Sequence, residues 1–189
     1  MVTLDRIRVG DVEALEELLQ EAWAPLVRHL IGLLGSPEAA QDAAQEAFVR
    51  LWERRERWES GSARALVFRI GRNAALDQTR RRRVRERWVG REGTGMPAAA
   101  PAPDEDLARA DVRRRVDAAL AVLPQRRREV FELVRFEGLS YREVADATEL
   151  SVQTVANHMS LALRDLREAL ADLVAPSLPA EPEARSHDG

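Results

Sequence analysis

The sequence comprises 189 residues, 45% of them hydrophobic, which is enough apolar material for one or two small compact domains. It contains no cysteine, so disulfides, thiolate metal sites and a cysteine nucleophile are excluded. Its three histidines match no metal-ligand spacing, and we expect neither a metal nor a cofactor. The apolar runs are too short for a membrane span and the N-terminal residues are unlike a signal peptide, which predicts a soluble cytoplasmic protein without membrane insertion.

The formal net charge of -3 conceals a strong segregation of charge along the chain. Residues 10–60 contain 11 acidic residues and 5 arginines, whereas residues 64–91 contain 10 arginines and 2 acidic residues. The basic segment is dense enough to bind phosphates, and the acidic segment suits a protein partner.

Apolar residues at helical spacing predict three helices in the N-terminal half. The first spans about residues 11–34, with a kink or break at Pro25, and Gly35 closes it. Ser36 caps a second helix that runs to about residue 57. Its inward face consists of Ala40, Ala43, Ala44, Ala47, Phe48 and Leu51. After a Ser-Gly-Ser loop, Ser62 caps a third helix that runs into four consecutive arginines at residues 80–83.

Residues 90–106 are rich in glycine, alanine and proline without a hydrophobic period, which indicates a flexible linker. We therefore predict a first domain at residues 1–88, a linker at 89–107, a second domain at 108–174 and a disordered, proline-rich tail at 175–189. The second domain begins with an apolar face made of Val116, Leu120, Val122 and Leu123. Because no segment reads as a strand, the fold class is all-α: two small helical domains, the C-terminal one containing a helix-turn-helix.

The helix-turn-helix is predicted from "LSYREVADATELSVQTVANHMS", residues 139–160. Ser140 and Glu143 form a capping box, Ala145 is small enough for a close helix crossing, and Ser151 caps the second helix. Glu149 stands where the turn normally takes a left-handed conformation, at a cost of roughly 1 kcal/mol for a residue other than glycine. The inward stripe is predicted to be Val155, Met159, either Ala162 or Leu163, and Leu166.

The outward face of that second helix carries short hydrogen-bonding groups followed by a cation, as contacts to base edges and phosphates require. Its members are Gln153, Thr154, Asn157, His158, Ser160, Leu161 and Arg164. The same pattern also fits an ordinary helical hairpin with a polar face.

Three stretches in order resemble an extracytoplasmic-function (ECF) bacterial RNA polymerase sigma factor. They are "SPEAAQDAAQEAFVRLWERRERW", "RALVFRIGRNAALDQTRRRR" and "LPQRRREVFELVRFEGLSYREVADATELSVQTVANHMSLALRDL". The resemblance covers about residues 11–170 apart from the linker. It implies a protein without catalytic residues that directs core RNA polymerase to promoters by recognising their minus-ten and minus-thirty-five elements.

The resemblance also implies partners. A face of the second helix would dock on the clamp helices of the largest catalytic subunit of core RNA polymerase, and the flap of the second-largest subunit would be contacted too. The residues matched to that role are Asp42, Gln45, Glu46, Phe48, Arg50 and Trp52. An anti-sigma factor is expected to cover the polymerase-binding face, and the free protein is expected to be a monomer.

In the family, the loop before the third helix captures a flipped base of the minus-ten element, and the helix itself holds the melted strand. The matching residues are Trp58, Ser60, Ser62, Arg64, Arg69, Arg72, Asn73, Asp77, Arg80 and Arg81. The chemistry of stacking and phosphate binding supports the assignment. Trp58 could equally belong to the core, and Asn73 with Asp77 could either read bases or brace the arginines.

The outward face of the helix-turn-helix is implied to read the minus-thirty-five element. Two positions depart from the family pattern: Leu66 stands where tryptophan is usual, and the turn reads Thr148-Glu149-Leu150-Ser151 where Leu-Gly-Ile-Ser is frequent. The first removes an aromatic stacking surface, and the second leaves only the geometry of the turn in question.

Three other classes are weighed against this interpretation. The C-terminal domain also resembles the four-helix module of response-regulator transcription factors, but the N-terminal half lacks an alternating strand-helix pattern with phospho-acceptor aspartates. An arginine-rich RNA-binding adaptor would leave the helix-turn-helix unexplained. An enzyme is disfavoured because the sequence has no phosphate-cradling glycine loop and no nucleophile-base signature.

Overall fold

In the computed structural model of the chain, the described residues are 3–58, 61–89 and 107–171, with the backbone alone described at 86–89 and 107–109. The helices in these residues are α1 (Leu4–Arg8), α2 (Val12–Leu34), α3 (Pro37–Glu53), α4 (Ala63–Val89), α5 (Leu107–Ala121), α6 (Gln125–Arg135), α7 (Tyr141–Thr148) and α8 (Val152–Ala169). A 3-10 turn, Arg55–Arg57, follows α3. The part of the chain described contains no strand beyond an isolated bridge between Thr3 and Ser62, so the all-α prediction is confirmed.

The helix boundaries follow local signals read from the sequence. The Ser36 hydroxyl accepts a hydrogen bond from the backbone N–H of Ala39 at 3.2 Å, and Gly35 ends α2 in the left-handed region at φ 70°. The Ser62 hydroxyl likewise accepts from the N–H of Ala65 at 3.2 Å and begins α4. Each cap satisfies a backbone group that the helix end leaves without a partner.

Three details differ from prediction. The helix α2 continues through Pro25, so no break occurs there. The buried stripe of α2 extends to both sides of Pro25, and its packing holds the helix together despite the missing N–H. α3 ends at Glu53, short of the predicted residue 57, with the 3-10 turn beyond it. α1 was not predicted because its five residues are too few to show a period.

A first unit is formed by α1 to α4, with α2, α3 and α4 packed on one another. Its core includes Leu18, Leu26 and Leu30 of α2 and the alanine face of α3. Gly71 lies in α4 at the crossing with α2, where an added Cβ would come within 3.2 Å of Leu26 Cδ1. Small residues therefore allow these three helices to approach closely.

A second unit is formed by α5 to α8. One cluster of its buried residues is Ala119, Leu120, Leu123, Phe131, Met159, Ala162 and Leu166. Val122, predicted to lie on the apolar face of α5, is instead 77% exposed because it follows the end of the helix at Ala121.

The two units are in direct contact, which the sequence did not predict. Helix α7 packs on α4, and Val130, Leu133, Leu139, Val144 and Val155 of the second unit belong to the same continuous core cluster as α2, α3 and α4. The predicted linker, apart from Val89 and Leu107, and the predicted disordered tail lie outside the described residues. Among the described helices, none combines the length and the apolar character needed to cross a membrane.

Candidate nucleic-acid interface

The helix-turn-helix consists of α7, its turn and α8. The N–H of Glu143 donates to the Ser140 hydroxyl at 3.2 Å, and the N–H of Ser140 donates to the Glu143 carboxylate at 2.9 Å. Glu149 takes the left-handed conformation at φ 59° and ψ 37°, and the Ser151 hydroxyl accepts from the N–H of Thr154 at 3.0 Å. The predicted capping box, turn conformation and second cap are all present.

Helix α8 is anchored by one face and presents the other. Val155, Met159, Ala162 and Leu166 are buried, whereas Leu163 is 43% exposed, so Ala162 is the inward residue of the two alternatives. On the opposite face, Gln153, Asn157, Ser160 and Arg164 are exposed, and Thr154, His158 and Leu161 are half-buried. The Gln153 amide donates to the Asn157 side-chain oxygen at 3.1 Å, which aligns two groups suited to a base edge.

The second candidate surface is the outer face of α3. Asp42, Gln45 and Glu46 are exposed, and Arg50 donates to Glu46 at 2.5 Å. Phe48 is only 5% exposed and packs near Trp23, with ring centroids 6.1 Å apart. In this arrangement Phe48 therefore supports the face from beneath and does not present its ring to a partner.

Trp52, also matched to polymerase binding, is half-buried, and the guanidinium of Arg55 lies 4.8 Å from its ring centroid. A groove of about 760 Å³ lies on the surface between α3 and α4. Acidic side chains of α3, including Asp42 and Glu46, line one wall and Arg81, Arg82 and Arg85 of α4 line the other. The acidic and basic surfaces thus meet along one groove.

The arginines of α4 differ in exposure. Those in the C-terminal part are exposed, whereas Arg64 is half-buried and Arg72 is buried. Arg80 and Arg81 are exposed, as are Asn73 and Asp77. The Asp77 carboxylate lies 3.7 Å from Arg80, an arrangement that fits bracing of an arginine. This end of the helix presents cations to solvent at the position where phosphate binding was predicted.

Arg72 is placed differently, because it is only 3% exposed. Its Nε donates to the Glu129 carboxylate of α6 at 2.6 Å, and its Nη2 donates to the same group at 3.3 Å. A phosphate cannot reach Arg72 while α6 covers it, so the predicted DNA contact is not available in this conformation.

Arg64 and Ser62, at the start of α4, also face the second unit. Arg64 lies 3.7 Å from Glu21 and donates to the backbone carbonyl of Glu137, and its side chain is 15% exposed. The Ser62 hydroxyl donates to the Glu143 carboxylate at 2.8 Å. Ser60, the remaining predicted loop residue, lies outside the described residues.

A cavity of about 330 Å³ lies beside the start of α4. Trp58 lines it and also packs against the core, and its indole N–H donates to the carbonyl of Leu51 at 3.1 Å. The two predicted positions of Trp58, in the core and beside a base pocket, are therefore compatible. Leu66, Arg69 and Asp146 also line this cavity. Asp146 comes from α7, so the second unit forms part of this cavity.

The buried charges between the units shift the pKa of neighbouring groups. Burial tends to raise the pKa of Glu129, but the hydrogen bonds and charge of Arg72, with His29 and Arg126, lower it below its ordinary value. Burial lowers the pKa of His29 from 6.5 to about 4; the negative charge of Glu129 opposes the shift and Arg72 adds to it. At neutral pH the cluster therefore holds an ionised glutamate, an arginine and a neutral histidine.

Sequence reasoning missed the acidic residues of the second unit that meet the first, chiefly Glu129 and Glu137. One signal for Glu129 was present: it lies one turn before Leu133 on the buried face of α6, a position where an unpaired carboxylate would be costly. Nothing in the helical pattern marked Glu137. Among the described residues, no cluster of three or more histidine or acidic side chains could hold a metal ion.

The exposed polar face of α8 and the exposed arginines of α4 are typical of a helical protein that binds DNA. The family models for sigma-70 region 2 and sigma-70 region 4 match residues 23–85 and 113–166, respectively. With the relatives described next, these matches show that the chain belongs to the ECF family of RNA polymerase sigma factors. Members of this family are transcription initiation factors.

Among curated relatives, the ECF RNA polymerase sigma factor SigE of Mycolicibacterium smegmatis is 29% identical over 166 residues. That alignment covers 86% of this chain and 65% of SigE, so this chain spans slightly less than two thirds of that relative. SigL of Mycobacterium tuberculosis H37Rv is 29% identical over 175 residues, covering 92% of this chain and 98% of SigL.

Solved structures with a similar fold include two complexes. One is the sigma factor RpoE in complex with the anti-sigma factor NepR from Bartonella quintana, with a TM-score of 0.66 and 27% identity, covering 82% of this chain and 95% of RpoE. The other is CnrH in complex with the cytosolic domain of CnrY, with a TM-score of 0.61 and 24% identity, covering 91% of this chain and 96% of CnrH.

Proposed function

We propose that this protein is an alternative sigma factor that binds core RNA polymerase and directs initiation at promoters by reading their minus-ten and minus-thirty-five elements. The observation that carries the proposal is the pairing of an exposed polar face on α8 with exposed arginines on α4. Catalysis belongs to the polymerase, and this protein contributes no reacting group. Its place of action is then the cytoplasm, where core polymerase is found.

The minus-thirty-five element is read by α8 in the major groove. Asn157 and Gln153 offer amides that can contact base edges, and Arg164 lies further along the helix for a phosphate. The buried stripe beneath them holds the helix rigidly, which base reading requires because a misplaced amide loses its hydrogen bonds.

The minus-ten element is held by α4 and the loop before it. Arg80 and Arg81 bind backbone phosphates, a contribution that is independent of sequence and sensitive to salt. The cavity beside Trp58 and Arg69 has a stacking surface and polar groups, and it is our candidate for the pocket that takes an unstacked base.

Core polymerase is bound through the outer face of α3, whose exposed groups include Asp42, Gln45 and Glu46. We propose the clamp helices of the largest subunit as its docking site, and a contact between the second unit and the flap of the second-largest subunit. The free protein acts as a monomer.

Control by an anti-sigma factor is proposed from the similarity to RpoE, whose structure was solved with NepR. An anti-sigma protein that covers the α3 face would block polymerase binding without contacting DNA. Pull-down of the protein from its host cells should recover such a partner.

The proposal is tested by equilibrium binding of the labelled protein to purified core polymerase. Asp42→Arg reverses an exposed charge on the α3 face, and we expect it to weaken core binding by about tenfold or more, which corresponds to about 1.4 kcal/mol. Glu16→Arg is the matched control, because Glu16 is an exposed acid of α2 outside the proposed surface. A wild-type protein that does not bind core, or equal loss in both variants, would contradict the proposal.

A further inference from the structure

A carboxylate on α8 joins two arginines beside the proposed reading face. Asp165 accepts from Arg127 of α6 through its Oδ2 atom and from Arg164 of α8 through its Oδ1 atom. The Nε and Nη2 atoms of Arg164 lie 3.3 and 3.1 Å from that Oδ1 atom. Each guanidinium is therefore held by its own oxygen of the same carboxylate.

Arg127 differs from the arginines on either side of it. Arg126 pairs with Glu129 at 3.1 Å and Arg128 pairs with Glu132 at 3.8 Å, both within α6. Arg127 instead crosses to α8 and meets a residue 38 positions away in the sequence. Because α6 and α8 pack on each other, the fold of the second unit itself fixes this contact.

Exposure increases from Arg127 through the carboxylate to Arg164. The side chain of Arg127 is 19% exposed, that of Asp165 is 25% exposed and that of Arg164 is 59% exposed. Arg127 Nε is buried and makes no hydrogen bond within the described residues, so Asp165 supplies the countercharge that this guanidinium requires. Ion pairs between two exposed side chains contribute little, but here the carboxylate is anchored from its inner side.

Arg164 is held by one edge of its guanidinium. Both hydrogen bonds to Asp165 use the Nε and Nη2 atoms, and neither uses Nη1. The guanidinium is planar, so fixing one edge also fixes the direction of its other N–H groups. Arg164 follows Asn157 by about two helical turns on the same exposed stripe of α8. A phosphate that flanks the bases contacted by Asn157 is therefore the kind of group that Arg164 can reach.

Asp165 has two opposite effects on the binding of DNA. Burial raises its pKa, but the hydrogen bonds from Arg164 and Arg127 lower it below its ordinary value, so the group is ionised at neutral pH and repels phosphates. Against this, an arginine that is held in place loses less rotamer freedom when it contacts a phosphate. Salt screens the repulsion at an exposed site, whereas it does not restore a lost orientation. Orientation is therefore the larger effect at physiological salt.

We propose that Asp165 is a positioning residue of the DNA-reading surface: anchored on Arg127, it holds Arg164 in the direction in which its guanidinium meets a backbone phosphate. The inference rests on the proposed function, since that function assigns the exposed face of α8 to DNA. Contacts to phosphates fix the register of a protein on the duplex, so the position of Arg164 also decides how the amides of α8 meet the bases.

A double-mutant cycle on promoter binding tests this role. The variants are Asp165→Ala, Arg164→Ala and the two combined, each assembled with core polymerase, and the probe is a labelled duplex of a promoter recovered by transcription in vitro. We expect Asp165→Ala alone to weaken binding about fivefold, within the range of coupling between residues in contact. In the Arg164→Ala background, Asp165→Ala should not weaken binding further, because the side chain that it positions is absent.

Asp111→Ala is the matched control for the loss of a negative charge. Asp111 of α5 also joins two arginines, accepting from Arg114 at 2.9 Å and lying 3.1 Å from Arg115 Nε. It belongs to none of the proposed DNA surfaces, so promoter binding should be unchanged. Core binding and thermal unfolding of each variant are measured in parallel. Asp165→Asn keeps the size of the side chain and should give the same result if the alanine variant is unstable.

Promoter binding that is unchanged or tighter in Asp165→Ala would overturn the proposal, because charge repulsion alone predicts that outcome. Equal weakening with and without Arg164 would also overturn it, since Asp165 would then act only in the packing of α6 on α8. Either result leaves the sigma function intact, because the wild-type holoenzyme still binds its promoter. Failure of the wild-type holoenzyme to bind any promoter would contradict the sigma function, and the positioning role with it.

Discussion

At the scale of single residues, the buried interface depends on His29, Arg72 and Glu129. His29 Nε2 makes no hydrogen bond in the described part of the chain, lies 4.0 Å from Glu129, and its ring packs near Phe68 with centroids 5.9 Å apart. A neutral histidine fits this site, while a protonated one would be buried beside Arg72. The charge state of one imidazole is thereby coupled to folding.

The low pKa of His29 predicts a pH-dependent stability. The unfolded chain takes up a proton on this group below about pH 6.5, whereas the folded chain does so only near pH 4, so stability falls as the pH decreases through that window. Between pH 7.5 and pH 5 we expect a loss of about 2 kcal/mol from this group.

Urea unfolding at several pH values measures this loss, and His29→Leu should remove most of it. Measurements above pH 5 separate the effect of His29 from that of Glu129. Because the pKa of Glu129 is lowered, its contribution to the free energy of unfolding is lost only below about pH 4.5. The same pH dependence in both proteins would contradict the assignment to His29.

A second prediction at this scale concerns the residues of α8 that we assign to DNA. Asn157→Ala should weaken binding of the holoenzyme to promoters with the preferred upstream element by about 1–3 kcal/mol, and it should relax the base preference at that element. Arg164→Ala should weaken binding to all sequences alike. It should also reduce the slope of the logarithm of the binding constant against the logarithm of the salt concentration by about one.

Holoenzyme binding to promoter variants measures both effects, with core binding measured in parallel. Arg135→Ala is the control, because Arg135 is an exposed arginine of α6 outside the reading face. Equal loss of core binding in the α8 variants would contradict the separation of roles between the units.

At the scale of elements, the helix-turn-helix is built almost entirely from local signals. The capping box at Ser140 and the cap at Ser151 fix the helix starts, and Glu149 reverses the chain in the left-handed conformation. Such a conformation costs about 1–2 kcal/mol for a residue other than glycine. The absence of the frequent turn glycine has therefore changed local strain and not the fold.

Glu149→Gly should stabilise the protein by about 0.5–1 kcal/mol, since relief of the left-handed strain exceeds the added freedom of the unfolded chain. Glu149→Ala removes the same side chain without relieving the backbone and should not stabilise. Chemical denaturation of both variants checks the difference. Equal stability of the glycine and alanine variants would show that the turn is not strained.

At the scale of the whole molecule, the sequence predicted most elements and many of their buried faces, because these depend on helical period and on caps within a few residues. The inward stripe of α8 and the cap of Ser62 are examples. It did not predict α1, whose five residues show no period.

The contact between the units depends on ion pairs between residues far apart in the chain, and one sequence contains no signal that pairs them. Arg72 shows the consequence for the site. Its residue type and its place in the arginine-rich helix predict a phosphate contact, and only the fold shows that Glu129 occupies its guanidinium. The exposure of Gln153, Asn157, Ser160 and Arg164 on α8, by contrast, follows from the helical period and agrees with the prediction.

The central claim is that this chain turns core RNA polymerase into a promoter-specific enzyme. It is tested most directly by in vitro transcription with purified core polymerase, the purified protein and a library of genomic DNA from the host. We expect new transcripts whose start sites share two upstream elements, and we expect them to be absent without the protein. Binding to neither core nor promoters, or transcripts unchanged by its addition, would contradict the account.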